Sequence, residues 1–123
     1  MATLADRVFD NGLTVLDTEA NKILLTSQEA TTYAEANATY ALGNSTSLSV
    51  GAPADRTGGG REVTVAAISD GSITANGTAT HYAIVDTVNS RLLATGSLTE
   101  SQVVTSGNTF TLGSFTIGIP DPA

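Results

Sequence analysis

From residue 61 to residue 118 short threonine-rich segments of β character follow one another, with only glycine, asparagine and serine turns between them. A chain punctuated in this way is held to strands and tight connections. The same span holds one histidine, no cysteine and no cluster of carboxylates. The region that defines the fold therefore offers almost nothing with which to do chemistry.

A chain of 123 residues falls in the range of one domain, and a second independent core would leave each half too small. The expectation is a single domain over residues 1–123. Charged residues make up 14% and apolar residues 41%, against about a quarter charged in ordinary soluble domains. Serine, threonine and asparagine supply the missing polarity. Such a weakly hydrated surface suits a domain that a partner will cover.

A net charge of −7 argues against sequence-independent nucleic-acid binding, which needs cations to replace phosphate counterions. Only Arg7, Lys22, Arg56, Arg61 and Arg91 are available, and they are scattered. Acidity instead serves solubility and repulsion between unassembled copies. Without cysteine there is no disulfide framework and no thiolate metal site. The N-terminal residues lack a basic region followed by an apolar run, and no stretch approaches membrane-spanning length. A soluble chain with no membrane partner is expected.

Along the chain, residues 13–16 and 22–26 read as a first hairpin, and residues 32–36 as a short helical turn near Tyr33. Residues 42–60 are irregular, with one brief strand near Leu48 and three consecutive glycines, Gly58, Gly59 and Gly60. Long loops of this kind are often functional. The N-terminal segment 1–10 and the loop 43–60 are expected to be flexible. Residues 61–69 read as a strand turned back by Asp70-Gly71, and Asn76-Gly77 as a second turn or a bulge. Residues 78–86, apolar on both faces, read as a central strand. Residues 86–90 turn the chain into Arg91-Leu92-Leu93-Ala94-Thr95. Residues 102–105, 109–112 and 114–119 are the last strands before Pro120. The sum is an all-β fold, a small β-sandwich or compact β-barrel of about eight short antiparallel strands with one short helical turn.

Catalysis would have to use His81 with Asp70 or Asp86 and a serine, and nothing in the sequence brings them together. A packed, hydrogen-bonded histidine is the simpler reading. Glu62, Asp70, Asp86 and Glu100 each sit beside or within a turn, where acidic residues are common. No Asp-x-Asp-x-Asp pattern offers a calcium site. Gly58-Gly59-Gly60-Arg61 lacks the lysine and hydroxyl that complete a phosphate-binding loop, and a strand follows where a helix is required. No enzyme activity, cofactor or metal is expected. Arg56 and Arg61, flanking the glycines, are candidates for bidentate pairing with carboxylates of a partner. Arg56, Gly58, Gly59, Gly60 and Arg61 form the candidate partner-binding set.

The runs Gly58-Gly59-Gly60-Arg61-Glu62-Val63-Thr64-Val65, Gly77-Thr78-Ala79-Thr80-His81-Tyr82-Ala83-Ile84-Val85-Asp86 and Asn89-Ser90-Arg91-Leu92-Leu93-Ala94-Thr95-Gly96 resemble small proteins encoded among the virion genes of tailed bacteriophages and prophages. The resemblance extends to Leu4-Ala5-Asp6 and Ile117-Gly118-Ile119-Pro120. It implies a structural component of the particle that is made in the bacterial host cytoplasm. In that setting such proteins decorate or cement the capsid, with the major capsid protein as partner and a homo-oligomer as the working form. The resemblance brings no catalytic motif with it. A tail component is the first alternative. A carbohydrate-binding surface module is the second, and the few aromatics, Phe9, Phe110, Phe115, Tyr33, Tyr40 and Tyr82, weigh against it because the core needs them.

Overall fold

The computed structural model describes residues 5–120. In chain order these form helix α1 (Asp6–Glu19), strand β1 (Lys22–Thr26), a π-helical turn (Glu35–Thr39), and strands β2 (Ala41–Ser45), β3 (Ala54–Asp55) and β4 (Arg61–Val65). Strands β5 (Ile68–Ile73), β6 (Gly77–Asp86), β7 (Arg91–Val104), β8 (Thr109–Leu112) and β9 (Phe115–Ile119) follow. The expected all-β class holds, with every strand pair antiparallel. Two compact units emerge, one from the described residues of 1–19, 49–67 and 113–123, the other from Ala20–Leu48 and Ile68–Leu112.

The larger unit is a six-stranded sheet in the order β7-β6-β1-β2-β5-β8. Strands β1 and β6 lie inside it, and Ile23, Leu24, Ala83, Ile84 and Val85 are fully buried. Strand β6 is thus interior, as its two apolar faces predict. The turn at residues 86–90 joins β6 to β7, and Ser90 takes the left-handed conformation there with φ 56°. The helical turn expected at residues 32–36 is present over residues 33–39, its last five, Glu35–Thr39, π-helical, and it brings Ala36 into a cluster with Leu24, Ala30, Ala83 and Val85. Tyr33 and Tyr40 pack against that cluster.

Several expectations about local structure do not hold. Residues 13–16 belong to a helix rather than a hairpin strand. Phe9, Leu13 and Leu16, at helical spacing, are the buried residues of α1, and that stripe overrides the β-branched Val8, Thr14 and Val15. Asp70-Gly71 is not a turn but lies within β5, where Gly71 is needed because any Cβ would collide with the Phe110 ring. The run 61–69 accordingly divides into β4 and β5. Strands β5 and β6 are not neighbours, so Asn76-Gly77 makes no hairpin; the Asn76 side chain instead accepts a hydrogen bond from the Ser106 N–H at 2.7 Å. Residues 102–105 are not a separate strand, since β7 runs on through Val104. The loop 43–60 contains part of β2 and all of β3. Near Leu48 there is only an isolated bridge, Val50 to Val65. Within the segment expected to be flexible, residues 6–10 are helical, and residues 1–4 lie outside the described residues.

The smaller unit is a three-stranded sheet, β3-β4-β9, with α1 packed against β4. Along β4 the buried Val63 and Val65 alternate with the partly exposed Glu62 and the exposed Thr64. One face of this sheet is therefore apolar and the other polar.

Candidate association edge

The glycine turn ahead of β4 separates two arginines onto opposite faces of the small sheet. Gly58, Gly59 and Gly60 have φ of 90°, 106° and 89°, a region that side-chain-bearing residues avoid. At Gly60 a Cβ would also stand 2.8 Å from the Pro120 Cα. The turn is thus pressed against the end of β9, which is why a third glycine is required.

Arg61 faces α1. Its Nε donates to Asp10 Oδ1 at 2.9 Å, Nη2 to Asp10 Oδ2 at 3.3 Å, and Nη1 to Asp55 Oδ1 at 2.6 Å. Nη2 also reaches the Pro53 carbonyl at 3.3 Å, and Asp6 lies 3.8 Å from Nη1. The hydrogen bonds that it donates to Asp10 and Asp55 raise the guanidinium pKa further above its ordinary value. With a side chain 16% exposed, Arg61 fastens helix to sheet within its own chain. Its spacing signal was readable, because Asp6 and Asp10 lie four apart on one helical face.

Arg56 lies on the other face. Its Nη1 donates to the Gly59 carbonyl at 3.0 Å and approaches that of Thr57 at 3.5 Å. No carboxylate pairs with it among the described residues. Its side chain covers Gly118, with Cδ 3.0 Å and Nε 3.2 Å from where a Cβ at that position would sit. Of the two arginines predicted to bind a partner, Arg56 is the one with donors to spare.

The backbone of β9 can be oriented from its neighbours. The Gly51 N–H donates to the Thr64 carbonyl at 2.9 Å, and the Ala66 N–H to the Ser49 carbonyl at 2.9 Å. Thr64 and Ala66 therefore turn their backbone groups away from β9. By alternation Arg61, Val63 and Val65 turn theirs toward it, where they meet Ile119, Ile117 and Phe115. Thr116 and Gly118 must then direct their N–H and C=O groups outward, on the side of β9 where no strand lies among the described residues. Both residues are exposed. Phe-Thr-Ile-Gly-Ile is uncharged, and its pairing with β4 is free of bulges. It lacks the lysines and irregularities that commonly protect a sheet edge.

Elsewhere the polar groups serve local structure. His81 Nδ1 lies 2.8 Å from Thr80 Oγ1, and that hydroxyl donates to the Ser27 carbonyl at 3.0 Å. With the hydroxyl proton so used, Nδ1 is the donor in the first contact. Asp70 accepts from Ser47 at 2.6 Å and Ser45 at 3.1 Å, and these bonds lower its pKa. Asp86 caps the β6–β7 turn, accepting from the Asn89 side chain at 2.9 Å and from the Val88 N–H at 2.9 Å. Glu62 is in β4 and Glu100 in β7. Among the described residues no group of three or more His, Cys, Asp or Glu is placed to hold a metal ion, and no helix is long and apolar enough to cross a membrane. No family model, curated protein or solved structure matches the chain.

Proposed function

We propose that this protein is a structural component of a tailed-bacteriophage virion, a decoration or cement protein that binds the major capsid protein on the outer surface of the head and acts by binding alone. The observation that carries this reading is β9, an uncharged edge strand whose outward backbone groups at Thr116 and Gly118 have no neighbouring strand among the described residues. Exposed backbone of this kind takes a further strand, from the shell or from another copy in the oligomer that decorates it. Arg56, on the polar face over Gly118 and next to Glu62, is the contact for a carboxylate of the shell.

A tail-tube subunit needs complementary contacts at two ends so that it can polymerise. The other strand edges suit that need poorly. Strand β3 has two residues, β8 has four, and the register of β7 against β6 is interrupted twice. One usable edge favours a small closed oligomer, which fits a decoration protein better.

The test is to mix purified protein with expanded capsids lacking it, and with tails, from a phage that encodes it, then to pellet and image the particles. Stoichiometric density at regular lattice points on the shell, reduced about tenfold or more in affinity by Arg56→Ala, is the expected result. Binding confined to tails would move the protein to the tail. Binding to neither would remove the virion reading.

A further inference from the structure

We propose that the occupant of the β9 edge is a second copy of this chain, paired antiparallel about a two-fold axis through Ile117. This rests on the reading of β9 as an association edge and adds its partner and register.

The strand has five residues, and its two outward-directed residues, Thr116 and Gly118, flank the middle one symmetrically. An edge with that symmetry is complementary to itself. With Ile117 on the axis, Thr116 stands opposite Gly118 of the second copy, and Gly118 opposite its Thr116. Every outward N–H and C=O of both residues then has a partner in an antiparallel ladder. A register shifted by two residues would pair Thr116 with Thr116 or Gly118 with Gly118, leaving the other residue of each copy unmatched. A shift of one residue would oppose outward groups to inward ones.

Side chains favour the same arrangement. Phe115 comes opposite Ile119 of the second copy at both ends, an aromatic and β-branched pair of the kind that stabilises cross-strand contacts. Arg56, lying over Gly118, is carried beside the Thr116 hydroxyl of the second copy, an acceptor for the Nε and Nη2 donors. No carboxylate belongs to β9; the nearest, Glu62 on β4, has its Cβ 3.3 Å from where a Gly118 Cβ would sit, next to Arg56, so each copy brings one anion and one cation to that face. The product is one continuous six-stranded sheet, β3-β4-β9 joined to β9-β4-β3, closed by symmetry.

The chain has no cysteine, so a single introduced thiol reports the register directly. In the proposed pairing Ile117 faces its own copy as a non-hydrogen-bonded pair, with Cα atoms about 4.5 Å apart, within disulfide reach. Residues 115 and 119 are each roughly 13 Å from their counterparts. Under mild oxidation Ile117→Cys is expected to give a covalent dimer, whereas Phe115→Cys and Ile119→Cys stay single. Equal cross-linking at all three positions, or at 115 or 119 alone, would overturn the register.

Amide exchange of the unaltered chain supplies a measurement that needs no variant. The Thr116 and Gly118 amides should slow about tenfold as concentration brings the protein to nine-tenths dimer, while the Ile117 amide, bonded to β4, is protected throughout. A chain that sediments as a monomer with both outward amides unprotected at every concentration overturns the pairing. If those amides become protected only when capsids are added, the edge takes a strand from the shell instead; the pairing fails and the virion reading stands. A dimer with the expected cross-link that ignores capsids and tails has the opposite meaning.

Discussion

Asp86 is only 2% exposed, yet it ends β6 as a charged group because the following turn supplies its donors. The Asn89 side chain contributes most to holding its pKa below the ordinary carboxylate value, and the Asn89 and Val88 N–H groups add to this against the cost of burial. Asp70 is lowered in the same direction by Ser47 and Ser45, and Glu35 by Thr31. A carboxylate whose folded pKa is depressed contributes stability that is fully present above its unfolded pKa and lost as pH falls through the folded one. The urea midpoint should therefore stay level from neutral pH down to about pH 5 and decline through and below about pH 4, where unfolded carboxylates take up protons. Asp86→Asn keeps an acceptor oxygen and loses the charge. It should be less stable at neutral pH and show a shallower decline in acid; an unchanged slope would mean that Asp86 does not couple folding to protons.

At the scale of the elements, α1 depends on two independent attachments, the stripe Phe9, Leu13 and Leu16 and the ion pairs of Arg61 with Asp10 and Asp6. Arg61→Gln keeps most of the bulk but leaves the carboxylates without a cation, so faster amide exchange throughout α1 is expected, with β1 and β6 of the other unit unchanged. Equal loosening of β1 and β6 would show that the arginine supports more than the helix. How far such elements could be read from sequence depended on what competed locally. Strand β6 and the 86–90 turn were legible because an apolar run ends in a dense group of turn residues. Helix α1 was not, because Leu13-Thr14-Val15-Leu16 has local β character and only the wider Phe9–Leu13–Leu16 spacing reveals the buried face. Asp70-Gly71 misled for a related reason, since the glycine answers to the Phe110 ring across the sheet, a contact no local pattern contains. The candidate site was legible in part. The glycines and both arginines were evident, but the opposite roles of Arg56 and Arg61 follow from strand alternation, and the open edge at Thr116 and Gly118 follows from pairing order.

For the molecule as a whole, what matters is how many strand edges can accept another chain, because that number decides between a closed oligomer and an open polymer. Strand β7 is the longest edge, with 14 residues, yet its pairing is broken where Thr80 alone stands between Ala79↔Gln102 and His81↔Ser97, so that the four residues 98–101 oppose one residue of β6. A second irregularity falls between Ile84 and Val85. Such bulges bend a strand and disrupt the flat template another strand would need. On the proposed pairing, this is how a chain with few charges holds a long, hydroxyl-rich edge and still joins its own copies strand to strand through β9 alone. Removing residues 99–101 would leave one residue opposite Thr80 and bring the ladder from Gly77 to Ile84 into a single register, producing a longer uninterrupted edge. The shortened protein should therefore gain a second valence and sediment as a concentration-dependent series of larger species, while the parent stops at two copies. Adding Thr116→Pro to the shortened chain should cap the series at pairs joined through β7, because that residue directs its N–H away from β4 and proline is tolerated at such edge positions. If the shortened protein folds, by circular dichroism, and sediments like the parent, the bulge is not what limits growth.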